Sequence, residues 1–141
     1  MILCDVNVLV SAFRKDASDH VRYHDWLESV INGDAAYGMA PQVLSSVVRL
    51  TTHPKVFVQP SGVDEALAFA DVLLNQPHCV QVHPGHRHWE IFRRLCVEAA
   101  ATGNLVADAW YAALAIESGC EWVTTDRDYA RFTGLRWRTP L

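Results

Sequence analysis

Four aspartates stand at positions from which their carboxylates can meet in one pocket. Asp5 ends a short apolar run typical of a buried strand, and Asp126 ends a second predicted strand. Ligands of open α/β sheets bind beyond the carboxyl ends of the strands. Asp108 lies in a helical segment with nearly all apolar neighbours, where a carboxylate needs a partner. Asp128, two residues beyond Asp126, is a fourth acid for the same place.

Carboxylates gathered in one pocket repel each other, and some would stay protonated unless a cation neutralised them. Magnesium takes oxygen ligands and keeps several waters, so a few aspartates and substrate phosphate oxygens suit it, and manganese fits as well. Such an ion orients a water, promotes its deprotonation and neutralises charge that develops on a phosphodiester. The acids therefore predict phosphodiester hydrolysis by a metal-activated water.

A purely structural interpretation of the same acids is also open. Aspartate is favoured at helix N-caps, so Asp5 and Asp126 could cap the helices that follow them. Asp108 could pair with a buried arginine. Taken one by one, the residues do not decide between these roles.

The elements that must position the acids alternate between strands and helices. Strands are predicted at 1–5, 36–40, 79–83, 121–125 and 135–138. Helices are predicted from Asp19 to about Asn32, from Pro41 to before Pro54, and over 64–76, 88–101 and 105–117. Parallel neighbours need right-handed crossovers, so we expect an α/β domain with a mainly parallel sheet of about five strands and helices on both faces.

Size and composition limit the class of protein further. The 141 residues, half of them apolar, suffice for one domain spanning 1–141. The formal charge of -4 lacks the overall basic excess of a simple nucleic-acid binder, so an RNA partner must be met locally. The start of the chain is unlike a signal peptide. No apolar run has the ~20 residues of a membrane helix. The four cysteines are scattered, which indicates reduced thiols. We expect a cytoplasmic protein with no membrane segment.

Three motifs in order resemble the PIN domain of VapC toxins. They are Asp5-Val-Asn7-Val-Leu-Val, Asp108-Ala-Trp-Tyr-Ala-Ala-Leu-Ala-Ile-Glu-Ser-Gly and Thr124-Thr-Asp126-Arg-Asp128-Tyr. A late Gly-Leu-x-x-x-x-Pro ends at Pro140, and the resemblance covers nearly the entire chain. It implies a Mg2+- or Mn2+-dependent endoribonuclease that cuts tRNA, rRNA or mRNA. It further implies the toxin of a type II toxin-antitoxin system, a homodimer that a VapB-like antitoxin holds inactive.

The resemblance also implies roles for individual residues. Asp5, Asp108 and Asp126 match the family's catalytic, metal-binding acids, and Asp128 matches a less regular extra acid. Asn7 and Thr124 match polar residues that support the first and last of the acids.

One position departs from the family pattern. The family usually has a glutamate in the helix after the second strand, where Ser46 stands in this sequence. A serine hydroxyl brings no negative charge, so cation affinity should fall unless Asp128 substitutes for the missing acid. A catalytically weakened PIN module that acts by binding RNA or a partner is therefore the alternative to a nuclease.

Arginines near the acids are candidates for phosphate contacts. Arg14 follows the first acid and Arg127 the last, although solvated helix faces explain scattered arginines nearly as well.

Two other classes of protein fit the chain less well. A phosphatase-like hydrolase with Asp5 as nucleophile expects an aspartate at Asn7, and a flavodoxin-like signalling domain expects a late strand-end lysine that this chain lacks.

Histidines offer a weaker metal-binding pattern. His20 and His24 are one helical turn apart, but no third ligand accompanies them in a recognised zinc spacing. We therefore expect both to be exposed surface residues.

Overall fold

Five short parallel strands form the centre of the molecule. The computed structural model describes every residue, 1–141. The strands are β1 Ile2–Cys4, β2 Tyr37–Met39, β3 Cys79–Gln81, β4 Glu121–Val123 and β5 Trp137–Arg138, in the order β3-β2-β1-β4-β5. All four pairings are parallel. The predicted sheet is confirmed, although each strand is shorter than its predicted range.

Six helices connect the strands. They are α1 Val6–Phe13, α2 His20–Ile31, α3 Pro41–Thr51, α4 Val63–Leu74, α5 His88–Glu98 and α6 Asn104–Ser118, and a short 3-10 helix spans Arg127–Arg131. Helices α1 to α4 pack against one another, as do α5 and α6. The chain therefore has the predicted α/β architecture, with helices flanking a central sheet. None of the helices is long and apolar enough to cross a membrane.

Helix α1 is the element that the sequence prediction missed. Residues 6–13 were assigned no element, although their valines favour a strand locally, and the first strand was predicted to end at Asp5. Instead β1 ends at Cys4, and Asp5 caps α1 by accepting a hydrogen bond from the backbone N–H of Val6. Val8 and Leu9 are completely buried on the inner face of α1, and this tertiary packing outweighs the local strand preference.

The start of α2 also differs from its prediction. Asp19 was expected to cap this helix, and it does occupy the N-cap position. Its backbone is left-handed, however, with φ 57°, and its side chain makes no capping hydrogen bond. An N-cap side chain reaches the next N–H groups from an extended backbone, so the left-handed turn carries the carboxylate away from them.

The core joins the two central strands to the helices. Leu3 of β1 and Trp122 of β4 are both 0% exposed. Helix α6 buries a set of small residues, which allow a close approach of its backbone: Ala109, Ala112, Ala113 and Ala115. The acids that the sequence singled out therefore lie on a rigid scaffold.

The strand order decides where the acids meet. The chain crosses from β1 to β2 and β3 on one side, and then returns to place β4 on the other side of β1. The order therefore reverses at the carboxyl ends of β1 and β4, which is where ligands bind in open α/β sheets. The register pairs Cys4 with Val123, so Asp5 and Thr124 follow side by side.

Candidate active site

Asp5 lies at the centre of the site and is held by two hydrogen bonds. Its Oδ2 accepts from the Thr124 hydroxyl at 2.6 Å, and its Oδ1 accepts from the Val6 N–H at 2.7 Å. The Thr124 hydroxyl oxygen also accepts from the Asp126 N–H at 3.0 Å. Thr124 therefore links the first acid to the last, and its own side chain is 0% exposed.

Asp126 and Asp128 occupy the turn after β4. Asp126 caps the short 3-10 helix, since its Oδ1 accepts from the Asp128 N–H at 2.9 Å. Asp128 is exposed and lies 3.9 Å from the Arg131 guanidinium. The Asp126 carboxylate is thus oriented by its own loop, whereas Asp128 is at the rim of the site.

Asp108 reaches the site from the first half of α6 and is half-buried. Its Oδ1 accepts from the Tyr129 hydroxyl at 3.3 Å. Burial raises the pKa of Asp108, and the charges of Asp126 and Asp128 raise it further, while the Tyr129 hydrogen bond lowers it. The charges on the turn after β4 therefore act on the Asp108 carboxylate of α6.

Charges of neighbouring acids also act on Asp5. Burial raises the pKa of Asp5 to about 6, against the lowering effect of its hydrogen bonds from Thr124 and Val6. The charges of Asp108 and Asp126 add to the increase. Acidic charges from separate parts of the chain thus destabilise the ionised forms of Asp5 and Asp108, the situation that a bound cation relieves.

Asn7, in the first turn of α1 and next to Thr124, has a side-chain oxygen without a hydrogen-bond partner. Its amide nitrogen is 3.5 Å from the Thr124 hydroxyl oxygen, and its Oδ1 is buried without a hydrogen-bond partner. An orphaned buried acceptor costs about 1–3 kcal/mol, so such groups are usually satisfied by a water or a ligand. A cation with its water shell could provide that partner.

The donor set fits a hard divalent cation. Aspartate and asparagine oxygens are what Mg2+ and Mn2+ prefer, and Mg2+ retains waters rather than requiring a full protein cage. The acids of the site do not form a group of three whose oxygens all lie within 4.8 Å. A hydrated ion that several carboxylates share, partly through water, matches this spacing.

A tighter cluster lies elsewhere, on the exposed side of α2. The ligand atoms of His24, Asp25 and Glu28 lie within 4.8 Å of one another, and all three residues are exposed. His24 is exposed as expected, but His20 is half-buried, with its Nδ1 3.0 Å from the Ser11 carbonyl oxygen. The prediction for His20 was therefore wrong, because this hydrogen bond anchors the ring to α1.

Ser46 stands on α3 and is half-buried. Its hydroxyl is 3.3 Å from the hydroxyl of Tyr111, which lies three residues after Asp108 on α6. Ser46 makes no hydrogen bond to any of the acids. The position of the usual glutamate is thus filled by a serine that pairs with a tyrosine.

The two arginines singled out from the sequence have different surroundings. Arg14, at the end of α1, forms two hydrogen bonds to Asp16, a third to Ser61, and stacks 4.1 Å from the centroid of the Phe57 ring. It is nine residues beyond Asp5, about 13 Å along the helix. Arg127 is exposed directly beside the last acid and forms no ion pair.

The sequence analysis gave neither of two tyrosines near the acids, Tyr111 and Tyr129, a role in the site. Tyr129 contacts Asp108, and burial raises its pKa, with Asp5 and Asp108 increasing it further, so its hydroxyl stays protonated. Tyr111 stacks on Trp122 with ring centroids 5.6 Å apart. Tyr129 ends the last motif, but a tyrosine that follows two aspartates gives no signal of where its hydroxyl points.

Known proteins share this fold and sequence pattern. The PIN domain family matches residues 2–135. Ribonuclease VapC43 of Mycobacterium tuberculosis is 42% identical over 141 residues, which are 100% of this chain and 96% of the relative. Ribonuclease VapC25 of the same organism is 39% identical over 140 residues, which cover 99% of each chain. The chain belongs to the PIN domain family and, within it, to the VapC proteins, which confirms the resemblance inferred from the motifs.

Solved structures show the same fold at low sequence identity. VapBC2 of Rickettsia felis, bound to a DNA fragment from its promoter, superimposes with a TM-score of 0.71 at 19% identity and covers 99% of this chain and 98% of that one. VapC20 of Mycobacterium tuberculosis, described as a Sarcin-Ricin loop cleaving toxin, gives a TM-score of 0.69 at 16% identity. That match covers 96% of this chain and 99% of VapC20.

Proposed function

We propose that this protein is an endoribonuclease that depends on a divalent cation and acts as the toxin of a toxin-antitoxin pair. The observation that carries the proposal is that Asp5, Asp108 and Asp126 converge on one edge beside the orphaned Asn7 oxygen, where burial and neighbouring acidic charges raise the pKa of Asp5 and of Asp108. Relatives that are 39–42% identical over nearly their full length bear the name ribonuclease VapC, which supports the reaction class.

Asp5, Asp108 and Asp126 are the residues that would hold the ion, with Asp128 as a fourth acid at the rim. A bound Mg2+ or Mn2+ supplies an activated water and neutralises charge on the phosphodiester. Thr124 and Val6 fix the rotamer of Asp5 through their hydrogen bonds. Asn7 offers its free oxygen from the first turn of α1, where it can orient a water.

RNA is the proposed substrate, and arginines near the acids would bind its phosphates. Arg127 follows Asp126 directly, is exposed and is free of ion pairs, so its guanidinium can contact a phosphate next to the scissile bond. Arg14 is neutralised by Asp16 and would contact RNA only after this pair opens. The proposed RNA is tRNA, rRNA or mRNA.

The proposed partner is a VapB-like antitoxin that inhibits a homodimer of this chain. Its support is that structural neighbours include VapBC complexes from Rickettsia felis and from nontypeable Haemophilus influenzae. All four cysteines are free thiols, which suits the reducing cytoplasm in which such a toxin would meet cellular RNA.

A second candidate follows from Ser46. Its hydroxyl pairs with Tyr111, and it supplies no charge to the acidic site. If the remaining acids bind the ion too weakly, the protein would act by binding RNA or its antitoxin without cutting.

One experiment separates these functions. Antitoxin-free protein is incubated with tRNA, rRNA and mRNA fragments in Mg2+, in Mn2+ and in chelator, beside Asp5→Asn. Asp25→Asn, which changes an acid of the exposed α2 cluster, serves as the matched control. Metal-dependent cuts that Asp5→Asn abolishes and Asp25→Asn retains would support the nuclease. Intact RNA in every metal condition, with folded protein that still binds RNA or antitoxin, would favour the binding module.

A further inference from the structure

Tyr129 is a buried side chain whose hydroxyl reaches the acidic site. The residue is 1% exposed, and its hydroxyl donates to Asp108 Oδ1 at 3.3 Å. No other protein group donates to that carboxylate, whereas Asp5 accepts from both Thr124 and Val6. The orientation of Asp108 therefore depends on a single donor.

The ring of Tyr129 is fixed from two sides. Its centroid lies 5.5 Å from the Trp122 ring and 5.8 Å from the Phe132 ring, and both neighbours are buried. The Tyr129 N–H also donates to the Asp126 carbonyl oxygen at 3.4 Å within the 3-10 helix. The hydroxyl thus has a set position relative to the loop that carries Asp126.

We propose that Tyr129 is a positioning residue that sets Asp108 of α6 in register with Asp126 of the β4 turn. The inference rests on the proposed function, because the benefit is the joint presentation of both carboxylates to a cation. The hydrogen bond occupies Asp108 Oδ1 and leaves Oδ2 available as a ligand. A neutral phenol suits this role better than lysine or arginine, whose charge would repel the ion.

The structure offers a closely matched control for removing this hydroxyl. Tyr37 is also 1% exposed, and its hydroxyl donates to one acceptor, the Leu73 carbonyl oxygen, at 2.6 Å. It connects β2 to α4, away from the acids. Tyr129→Phe and Tyr37→Phe therefore each remove one buried hydroxyl and one hydrogen bond while keeping the ring.

The test measures Mn2+ binding by electron paramagnetic resonance, and kcat and KM for RNA cleavage, on the full chain. In Tyr129→Phe we expect the Kd for Mn2+ to rise about tenfold, as is common when a partner of a metal ligand is lost. The value of kcat should fall while KM for RNA stays the same. Tyr37→Phe should match the wild type in both readouts. In an Asp108→Asn background, adding Tyr129→Phe should change the Kd no further, since the hydroxyl acts through Asp108.

Each of the other outcomes would overturn the positioning role of Tyr129, the proposed nuclease, or both. Wild-type Mn2+ affinity and kcat in Tyr129→Phe would overturn the positioning role and leave the proposed nuclease intact. An equal loss in Tyr37→Phe would overturn it as well, because the effect would then follow from weakened packing. If the wild type binds Mn2+ but does not cut RNA, only the proposed nuclease activity is refuted. The Mn2+ affinities of the variants would still test the role of Tyr129. A wild type that binds no Mn2+ would overturn both.

Discussion

The Thr124 hydroxyl donates to Asp5 Oδ2 at 2.6 Å although the two residues are 119 positions apart in the chain. The bond forms because β1 and β4 are adjacent and parallel, with Cys4 opposite Val123. The same hydroxyl oxygen accepts from the Asp126 N–H, so one threonine holds both ends of the acidic site.

Replacing Thr124 tests this connection. Thr124→Val keeps the shape but removes the hydroxyl, leaving Asp5 Oδ2 and the Asp126 N–H without their partner. We expect a loss of about 2–3 kcal/mol in the free energy of unfolding, the cost of unsatisfied buried groups. RNA cleavage should fall at least tenfold. Urea unfolding and cleavage assays measure the two effects, and Thr124→Ser, which retains the hydroxyl, should preserve most of both. Full activity in Thr124→Val would contradict this role.

The raised pKa of Asp5 predicts a specific pH dependence of stability. The pKa of about 6 in the folded state exceeds the usual value of 3.8, so the protonated form favours folding. This stabilisation is complete below about pH 4 and is lost as the pH rises through 6. In metal-free buffer, the wild type should lose about 2 kcal/mol of unfolding free energy relative to Asp5→Asn between about pH 4.5 and 7.5.

Urea unfolding of both proteins at the two pH values measures that difference. Because it is a difference between pH values, any constant cost of the asparagine cancels. Mn2+ added at the higher pH should stabilise the wild type more than Asp5→Asn, since the variant lacks one of the carboxylates that would hold the ion. A difference between the two proteins that does not vary with pH would rule out the raised pKa.

The serine on α3 offers a gain-of-function test. Ser46→Glu restores an acid at the position where the family usually carries one, and its neighbour Tyr111 lies one turn from Asp108. We expect the Kd for Mn2+ to fall about tenfold, because an added carboxylate contributes charge to a cation site. Ser45→Glu adds the same charge at an exposed neighbouring position and should leave the Kd near that of the wild type. Equal effects in the two variants would mean that only net charge matters.

The two arginines should respond differently to substitution. Arg127 is exposed and unpaired beside Asp126, so Arg127→Ala should weaken RNA binding and reduce the slope of log affinity against log salt by about one. Arg14 is engaged by Asp16 and Ser61, so Arg14→Ala should leave that slope unchanged. Fluorescence anisotropy with a labelled, uncleavable RNA over a range of salt concentrations measures both. A reduced slope in Arg14→Ala alone would reverse the assignment.

Much of the fold could be predicted from the sequence because burial leaves a local periodic pattern. The apolar run that ends in Asp5, the β-branched and aromatic segment before Asp126 and the alanine-rich segment around Asp108 indicate strands and a helix without knowledge of the rest of the chain. Helix α1 was not predicted, because its valines have low helix propensity and the burial of Val8 and Leu9 that stabilises it depends on the whole core.

The sequence by itself determined the types of the acids, their order along the chain and the α/β class that brings strand ends to one edge. Only the tertiary structure decided which polar groups pair: Thr124 with Asp5, Tyr129 with Asp108, and Ser46 with Tyr111. The physical reason is the separation along the chain of the residues that determine each feature. Periodicity is a property of neighbouring residues, whereas a hydrogen bond across 119 positions depends on strand order and register, which the whole core sets.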